Sequence, residues 1–348
     1  MNKKDPLYKQ VQITRVINET EEAKSFEFVA AGGWDPHYEA GQFITLVFDK
    51  GNKEDRRSYS FSSAPLLNEP LRITVKRIPN GEYSRHLFHQ VRAGDILNTS
   101  GISGFFKLAP DYKNIRQFFF LAAGSGITPV YSLMKTVLSA SALPVTLVYS
   151  NHSKKNTIFY QELLQLQEVF SDRLKIEFLF SHIHNVSKSR LSKWLLTQLL
   201  HEHQVPLQET LFYMCGPDSY MLMAGITLVT AGVPPHNIKK EIFSTLKHRI
   251  KPVPPDTDKH QVEIHINSRV YQVAVQYPDT ILSAAKKLHI HLPYSCEVGN
   301  CGSCTATCIK GTVWMAYNEV LMEDEIEKGK VLTCQGYPVG GDVVVGFE

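Results

Sequence analysis

Four cysteines near the carboxyl end place the tightest constraint on this chain. Cys296, Cys301 and Cys304 stand in C-x4-C-x2-C order, and Cys334 follows after 29 intervening residues. Three thiols within nine residues require a loop that curls around a common centre, with the remote fourth thiol closing the cage. Gly299 and Gly302 give that loop its backbone freedom and let amides point at the sulfurs. Four thiolates in this spacing are the ligand set of a [2Fe–2S] cluster. A structural zinc site is the competing reading, but zinc sites draw their ligands as paired C-x2-C knuckles, which this spacing does not supply. Cys308 falls in a strand-like run, 305–309, and reads as a small buried side chain rather than a ligand.

Five of the six cysteines lie beyond residue 295, a clustering that favours metal or redox chemistry over disulfides. The amino-terminal residues Met1-Asn2-Lys3-Lys4-Asp5 lack the apolar core of a secretory signal, so a cytoplasmic location is expected. The most apolar window, 118–134, is interrupted by Gly124, Gly126 and Pro129 and reads as a strand, turn and helix, not a membrane span. Net charge is only +3, but from His260 onward six Lys and Arg face ten Asp and Glu, leaving +7 on the remainder. An acidic tail and a basic front part can attract each other, or the tail can seek a basic partner. No Lys/Arg cluster is interleaved with aromatics, which argues against nucleic acid as a partner.

A proline-rich stretch, 247–259, divides the chain and should be an extended, exposed linker. Ahead of residue 112, short alternating runs at 10–16, 25–29, 43–48 and 72–78 predict an antiparallel β-barrel or sandwich. After it, apolar strands at 118–122, 145–149, 175–180 and 211–214 alternate with helical stretches, the pattern of βαβ units and a parallel sheet. The tail opens with strands at 261–266 and 271–275 and a helix near 280–288, with Asp279 or Thr280 as its N-cap. Four segments result: 1–111, 112–246, the linker 247–259, and 260–348.

Further motifs carry chemistry. Arg57-Ser58-Tyr59-Ser60 follows a strand-like segment and offers a cation for a pyrophosphate, a ring for stacking and a hydroxyl for a ring nitrogen. Val75-Lys76 leads on to Gly81, Tyr83 and Ser84, and Gly124-Ser125-Gly126-Ile127-Thr128-Pro129 places a glycine-rich turn between strand and helix. Such a turn allows close backbone approach to a pyrophosphate, and the helix start behind it favours anions. Cys215-Gly216-Pro217 ends a later strand, and Glu241 and Phe243 close the segment. Trp194 and Trp314 read as core or interface aromatics, and the histidines show no paired metal spacing.

In this order the motifs resemble the ferredoxin–NADP reductase superfamily across residues 8–246, and the tail resembles plant-type ferredoxins. The whole chain is similar to the reductase components of multicomponent oxygenases, in the group of phenylacetyl-CoA epoxidase and ketosteroid hydroxylase reductases. The resemblance implies an antiparallel flavin β-barrel, an α/β parallel-sheet nicotinamide domain and an α+β, β-grasp ferredoxin domain. It implies that Arg57 and Ser84 bind flavin phosphates, Tyr59 stacks on the isoalloxazine and Ser60 faces its N5. Ser58, Val75, Lys76, Gly81 and Tyr83 complete the flavin site. Gly124, Gly126, Thr128 and Pro129 form the dinucleotide turn, Cys215 and Gly216 lie beside the nicotinamide, and Glu241 and Phe243 close the flavin edge.

FAD is favoured over FMN, because Gly81-x-x-Ser84-x-x-Leu87 resembles the FAD-type members. NADPH and NADH both remain open as donors. Ser181-His182 stands where NADP-using relatives carry Ser-Arg, while Lys188 and Arg190 follow closely and tilt the choice to NADPH. The function implied is electron transfer from NAD(P)H through flavin and [2Fe–2S] to an oxygenase or hydroxylase. The alternatives are a reductase for another acceptor, such as a desaturase, ribonucleotide reductase or hybrid-cluster protein, and a redox sensor without turnover. The acidic stretch 319–327 either docks a basic acceptor, folds back on the basic reductase part, or is a solvated helix face.

Overall fold

The computed structural model describes residues 8–51, 54–109, 112–182, 189–243 and 251–347. The extreme amino terminus, Lys188, the segment borders at 111 and 246 and the start of the linker at 247–250 lie outside the described residues.

Six antiparallel strands form the first sheet: β1 (Lys9–Thr20), β2 (Ala23–Ala31), β3 (Phe43–Asp49), β4 (Glu54–Ser60), β5 (Leu71–Lys76) and β6 (Ile96–Ser103), in the order β4-β3-β6-β1-β2-β5. Alternate residues such as Val11, Ile13, Phe26 and Phe28 turn inward onto one core. A bridge between Phe61, just after β4, and Ile73 of β5 brings the two edges together, so the sheet curls into a barrel. One helix, α1 (Glu82–Gln90), starts from Gly81.

The Arg57–Ser60 motif lies inside β4 rather than after a strand. Apolar alternation does not reveal β4, because Glu-Asp-Arg-Arg-Ser-Tyr-Ser places polar side chains toward a cavity instead of a dry core. β6, with Asn, Thr, Ser and Gly through its middle, lacks the same apolar signature.

The second sheet is wholly parallel: β7 (Gln117–Ala123), β8 (Val145–Asn151), β9 (Leu174–Phe180), β10 (Thr210–Cys215) and β11 (Ile238–Glu241), ordered β11-β10-β7-β8-β9. Period-two alternation sends Phe118 and Phe120 to one face, against α2 (Ile127–Ala140) and α3 (Tyr160–Val169). Phe119 and Leu121 face the other way, against α4 (Lys193–Glu202) and α5 (Asp218–Ala231). Burial on both faces explains the unbroken Phe-Phe-Phe-Leu run. From β7 the chain winds first toward β9 and then back to β10 and β11, so a switch point lies between β7 and β10. Trp194, expected in a core or interface, is 61% exposed on α4.

The third sheet, β13-β12-β18-β14-β16, combines β12 (His260–Ile266), β13 (Arg269–Val275), β14 (Thr305–Lys310), β16 (Lys330–Leu332) and β18 (Val343–Gly346). A small pair, β15 (Val313–Met315) with β17 (Gly336–Pro338), flanks it. Helix α6 (Ile281–Lys287) buries Ile281, Leu282 and Ala285 against this sheet, and Thr280 is its N-cap, accepting from the Ser283 amide. The acidic α7 (Glu323–Glu327) follows. Cys308 is half-buried on β14, not fully buried as its strand position suggested. Residues 251–259 contain neither helix nor strand and are mostly exposed, as expected of a linker. Among the described residues no helix is long and apolar enough to cross a membrane.

Candidate electron-transfer site

A cavity of about 440 Å³ opens where the three sheets meet. From the barrel it takes Arg57, Ser58, Tyr59 and Ser60 of β4, Val75 and Lys76 at the end of β5, and Gly81, Tyr83 and Ser84 at the start of α1. Ser125, Thr128, Glu241 and Phe243 reach it from the parallel-sheet domain, and Ser295, Cys296 and Cys301 from the tail. An apolar body with a few convergent cations and hydroxyls suits a flat ring system that carries phosphate.

The Arg57 guanidinium lies 4.7 Å over the Tyr83 ring and donates to the Arg56 carbonyl at 2.7 Å. The Tyr83 hydroxyl is bonded to Asp55. Burial pushes the Tyr59 phenol far up, so it stays neutral as an aromatic surface. Ser84 Oγ accepts from the Ile78 amide at 3.1 Å and donates to the Gly81 carbonyl at 3.2 Å, so it also shapes the turn before α1.

Glu241 ends β11 buried, beside Cys215 at the end of β10 in register. Burial, with a smaller contribution from Cys296, pushes its carboxyl up to about 8, so it holds a proton at neutral pH. The Cys215 thiol belongs to the apolar core and is pushed well above its ordinary range by burial. Its neighbour Gly216 is the residue that lines the adjoining cleft.

That cleft, about 800 Å³, runs along the switch point. Gly124, Ser125 and Gly126 form its floor, Ser150, Asn151, His152, Ser181 and Arg190 one wall, and Gly216 and Tyr220 the other. Thr128 and Pro129 are buried in the first turn of α2, where Thr128 Oγ1 bonds the Ser125 carbonyl at 2.8 Å. His152, which sequence reasoning missed, sits 3.3 Å from Ser181 Oγ; no local motif marks it, since β8 and β9 bring the two together. Lys76, Ser125 and Phe243 belong to both the cleft and the cavity, so the two spaces adjoin.

The four cysteines act on one another most strongly as two pairs, Cys296 with Cys301 and Cys304 with Cys334. Among the described residues no three or more His, Cys, Asp and Glu side chains are grouped so that they could hold one metal ion. Four thiols so arranged would suit a binuclear cluster, with Cys296, Cys301, Cys304 and Cys334 as the residues that would hold it. Positive φ at Glu297, Gly299 and Gly302 curls the loop, and the Val298 amide points at Cys296 Sγ from 3.4 Å. The Cys301 thiol, helped by the Val298, Asn300 and Cys301 amides, pulls Cys296 toward the thiolate that a ligand must be, against its burial. Gln335 Nε2 approaches Cys334 Sγ at 3.8 Å.

Comparison with known proteins agrees with this division. Residues 11–108 match an oxidoreductase FAD-binding domain, 120–225 an oxidoreductase NAD-binding domain, and 264–339 a 2Fe-2S iron-sulfur cluster binding domain. The chain is 29% identical to the ferredoxin reductase component of 3-ketosteroid-9-alpha-monooxygenase from Mycobacterium tuberculosis, over 97% of this chain and 96% of that one. It is also 29% identical to a component of the 1,2-phenylacetyl-CoA epoxidase of Escherichia coli, over 98% of each. The fold is similar to that of phthalate dioxygenase reductase, with TM-score 0.60, 22% identity and 98% of each chain covered.

Proposed function

Because the chain is a reductase of the ferredoxin–NADP reductase superfamily with a plant-type ferredoxin at its carboxyl end, we propose that it passes electrons from NADPH to a soluble oxygenase component in the cytoplasm. It is an NAD(P)H-dependent oxidoreductase built on FAD-binding, NAD-binding and 2Fe-2S domains. The observation that carries the proposal is continuity: Lys76, Ser125 and Phe243 join the dinucleotide cleft to the flavin cavity, and Cys296 and Cys301 line that same cavity.

When bound, the flavin would convert a two-electron hydride donor into single electrons, and the cluster would carry those one at a time. The protein supplies position and charge. Arg57 and Lys76 would neutralise phosphate, with Ser84 beside them. Tyr59 and Phe243 would present aromatic surface to the ring, and Ser58, Ser60, Val75, Gly81 and Tyr83 would fill its surroundings. Glu241, protonated at neutral pH, adds no negative charge to a site that must accept electrons. The Gly124–Gly126 turn would seat the donor's pyrophosphate at the start of α2, with Thr128 and Pro129 buried behind it to hold the turn. Gly216 borders its nicotinamide end, with Cys215 behind.

Ser181 and Arg190 on the cleft wall, joined by His152, favour a donor with a 2′-phosphate. The proposed domains are 1–111, 112–246 and 260–348, with 247–259 as the linker; the matched segments 11–108, 120–225 and 264–339 fall within them and support that reading. A phenylacetyl-CoA epoxidase or ketosteroid hydroxylase type of oxygenase is the acceptor that the named relatives favour.

An absorption spectrum followed by anaerobic titration tests this. Flavin and iron–sulfur bands that bleach with NADPH at lower concentration than with NADH are expected. A colourless protein, or bands that neither nucleotide bleaches, would refute it.

A further inference from the structure

We propose that Arg56 is a latch that fixes the cluster-bearing loop on the flavin barrel, a positioning residue for transfer between the two; this rests on the function proposed above. Arg56 stands one residue ahead of the Arg57–Ser60 motif, and only 4% of its side chain is exposed. Its guanidinium lies 3.7 Å from the centre of the Tyr294 ring, and Nη1 donates to the Tyr294 carbonyl at 3.1 Å. The Glu54 carboxylate holds another edge at 3.2 Å. Tyr294 is two residues ahead of Cys296 and itself buried.

A second contact lies alongside. Ser58 Oγ and Ser295 Oγ share a hydrogen bond of 2.7 Å, and Thr45 Oγ1 lies 2.9 Å behind Ser58. A third grips the far side of the loop. Gly302, between Cys301 and Cys304, packs so closely on Phe105 that a Cβ there would lie 2.5 Å from its ring. The loop is therefore held before its first cysteine by β4 and after its second by the segment following β6.

The Arg56 contact differs in kind from a surface ion pair. A buried cation is costly unless every edge is met, and a guanidinium meets a ring, a carbonyl and a carboxylate at once only in one geometry. Its chief effect is thus register: tail and barrel settle in one relative position, with Cys296 and Cys301 on the cavity. The step so served moves one electron from cavity to cluster loop; one centre is oxidised by one electron, the other is reduced by one, and no bond forms or breaks.

The test uses the full chain loaded with both cofactors, with Arg56→Met and Tyr294→Leu. Stopped-flow spectra after mixing with nicotinamide separate bleaching of the flavin from bleaching of the cluster. Cluster bleaching should slow about tenfold or more in both variants. Nicotinamide-driven ferricyanide reduction in Tyr294→Leu, and the paramagnetic resonance signal of the dithionite-reduced cluster in both variants, should not change. Arg56→Lys, which keeps the charge but loses the planar fork, should fall between. If Arg56→Met does not load both cofactors, Tyr294→Leu decides, because it leaves the cation with its Glu54 partner. Cluster bleaching at the unmodified rate in a loaded variant would overturn the latch. A failure of nicotinamide to bleach the unmodified protein would instead remove the function proposed above.

Discussion

Gly126 presses against the carbonyl of Cys215, so that a Cβ on Gly126 would lie 2.1 Å from that oxygen. The contact seats the start of α2 on the end of β10, across the switch point where the proposed dinucleotide cleft runs. Gly126→Ala must push the two apart. A rise of about tenfold or more in the dissociation constant for the nicotinamide donor is expected, by fluorescence titration, with the cluster spectrum intact. Gly124, whose Cβ would meet nothing within 4 Å, has φ +55; alanine there should cost less.

Arg57 is the motif cation on the wall of the proposed flavin cavity, with its guanidinium over Tyr83. Arg57→Met keeps the stem and removes the charge-assisted bonds. Flavin released per chain by acid should fall by about tenfold at limiting flavin. Retained stoichiometric flavin would take Arg57 out of the site.

Glu241 gives a pH signature. Its carboxyl is raised by burial to about 8, above its ordinary value of 4.5, so the folded protein keeps a proton that the unfolded chain releases. The stability linked to that proton is complete below pH 4.5, declines as pH rises, and is lost through about pH 8. The loss is at most about 5 kcal/mol. Glu241→Gln should flatten this decline in thermal unfolding followed from about pH 5 to 9. A variant with the same slope would show that Glu241 does not titrate in this range.

Substitution distinguishes the proposed cage from its neighbour cysteine. Cys334→Ser should lose most iron and acid-labile sulfide, because an alkoxide is a poor substitute for a thiolate. Cys308→Ser, on half-buried β14, should retain both. Iron loss from Cys308→Ser would place it among the ligands.

The acidic helix α7 lies within electrostatic reach of Lys239 on β11. Burial lowers the affinity of Lys239 for its proton, and Asp324 and Glu325 partly offset that. Asp324→Asn with Glu325→Gln should therefore destabilise the contact between tail and nicotinamide domain by about 0.5–1 kcal/mol, seen as a lower first melting transition. No change in melting, with slower reduction of a protein acceptor at low salt, would assign α7 to docking.

Motif and period carried much of this protein. The parallel strands were legible because burial on both faces demands unbroken apolar runs, as in Phe118 to Leu121. The Thr280 cap was legible because its hydrogen bond to Ser283 spans only three residues. β4 was not, since its side chains serve a polar cavity, and His152 was not, since only strand pairing brings it to Ser181.

By itself the sequence determined the four-thiol cage: Cys296, Cys301 and Cys304 are bound to one another by a chain too short to hold them far apart. Where that cage faces was decided by tertiary structure alone. Arg56 and Tyr294 stand 238 residues apart, and no local spacing encodes a contact that forms only when two separately folded sheets pack together.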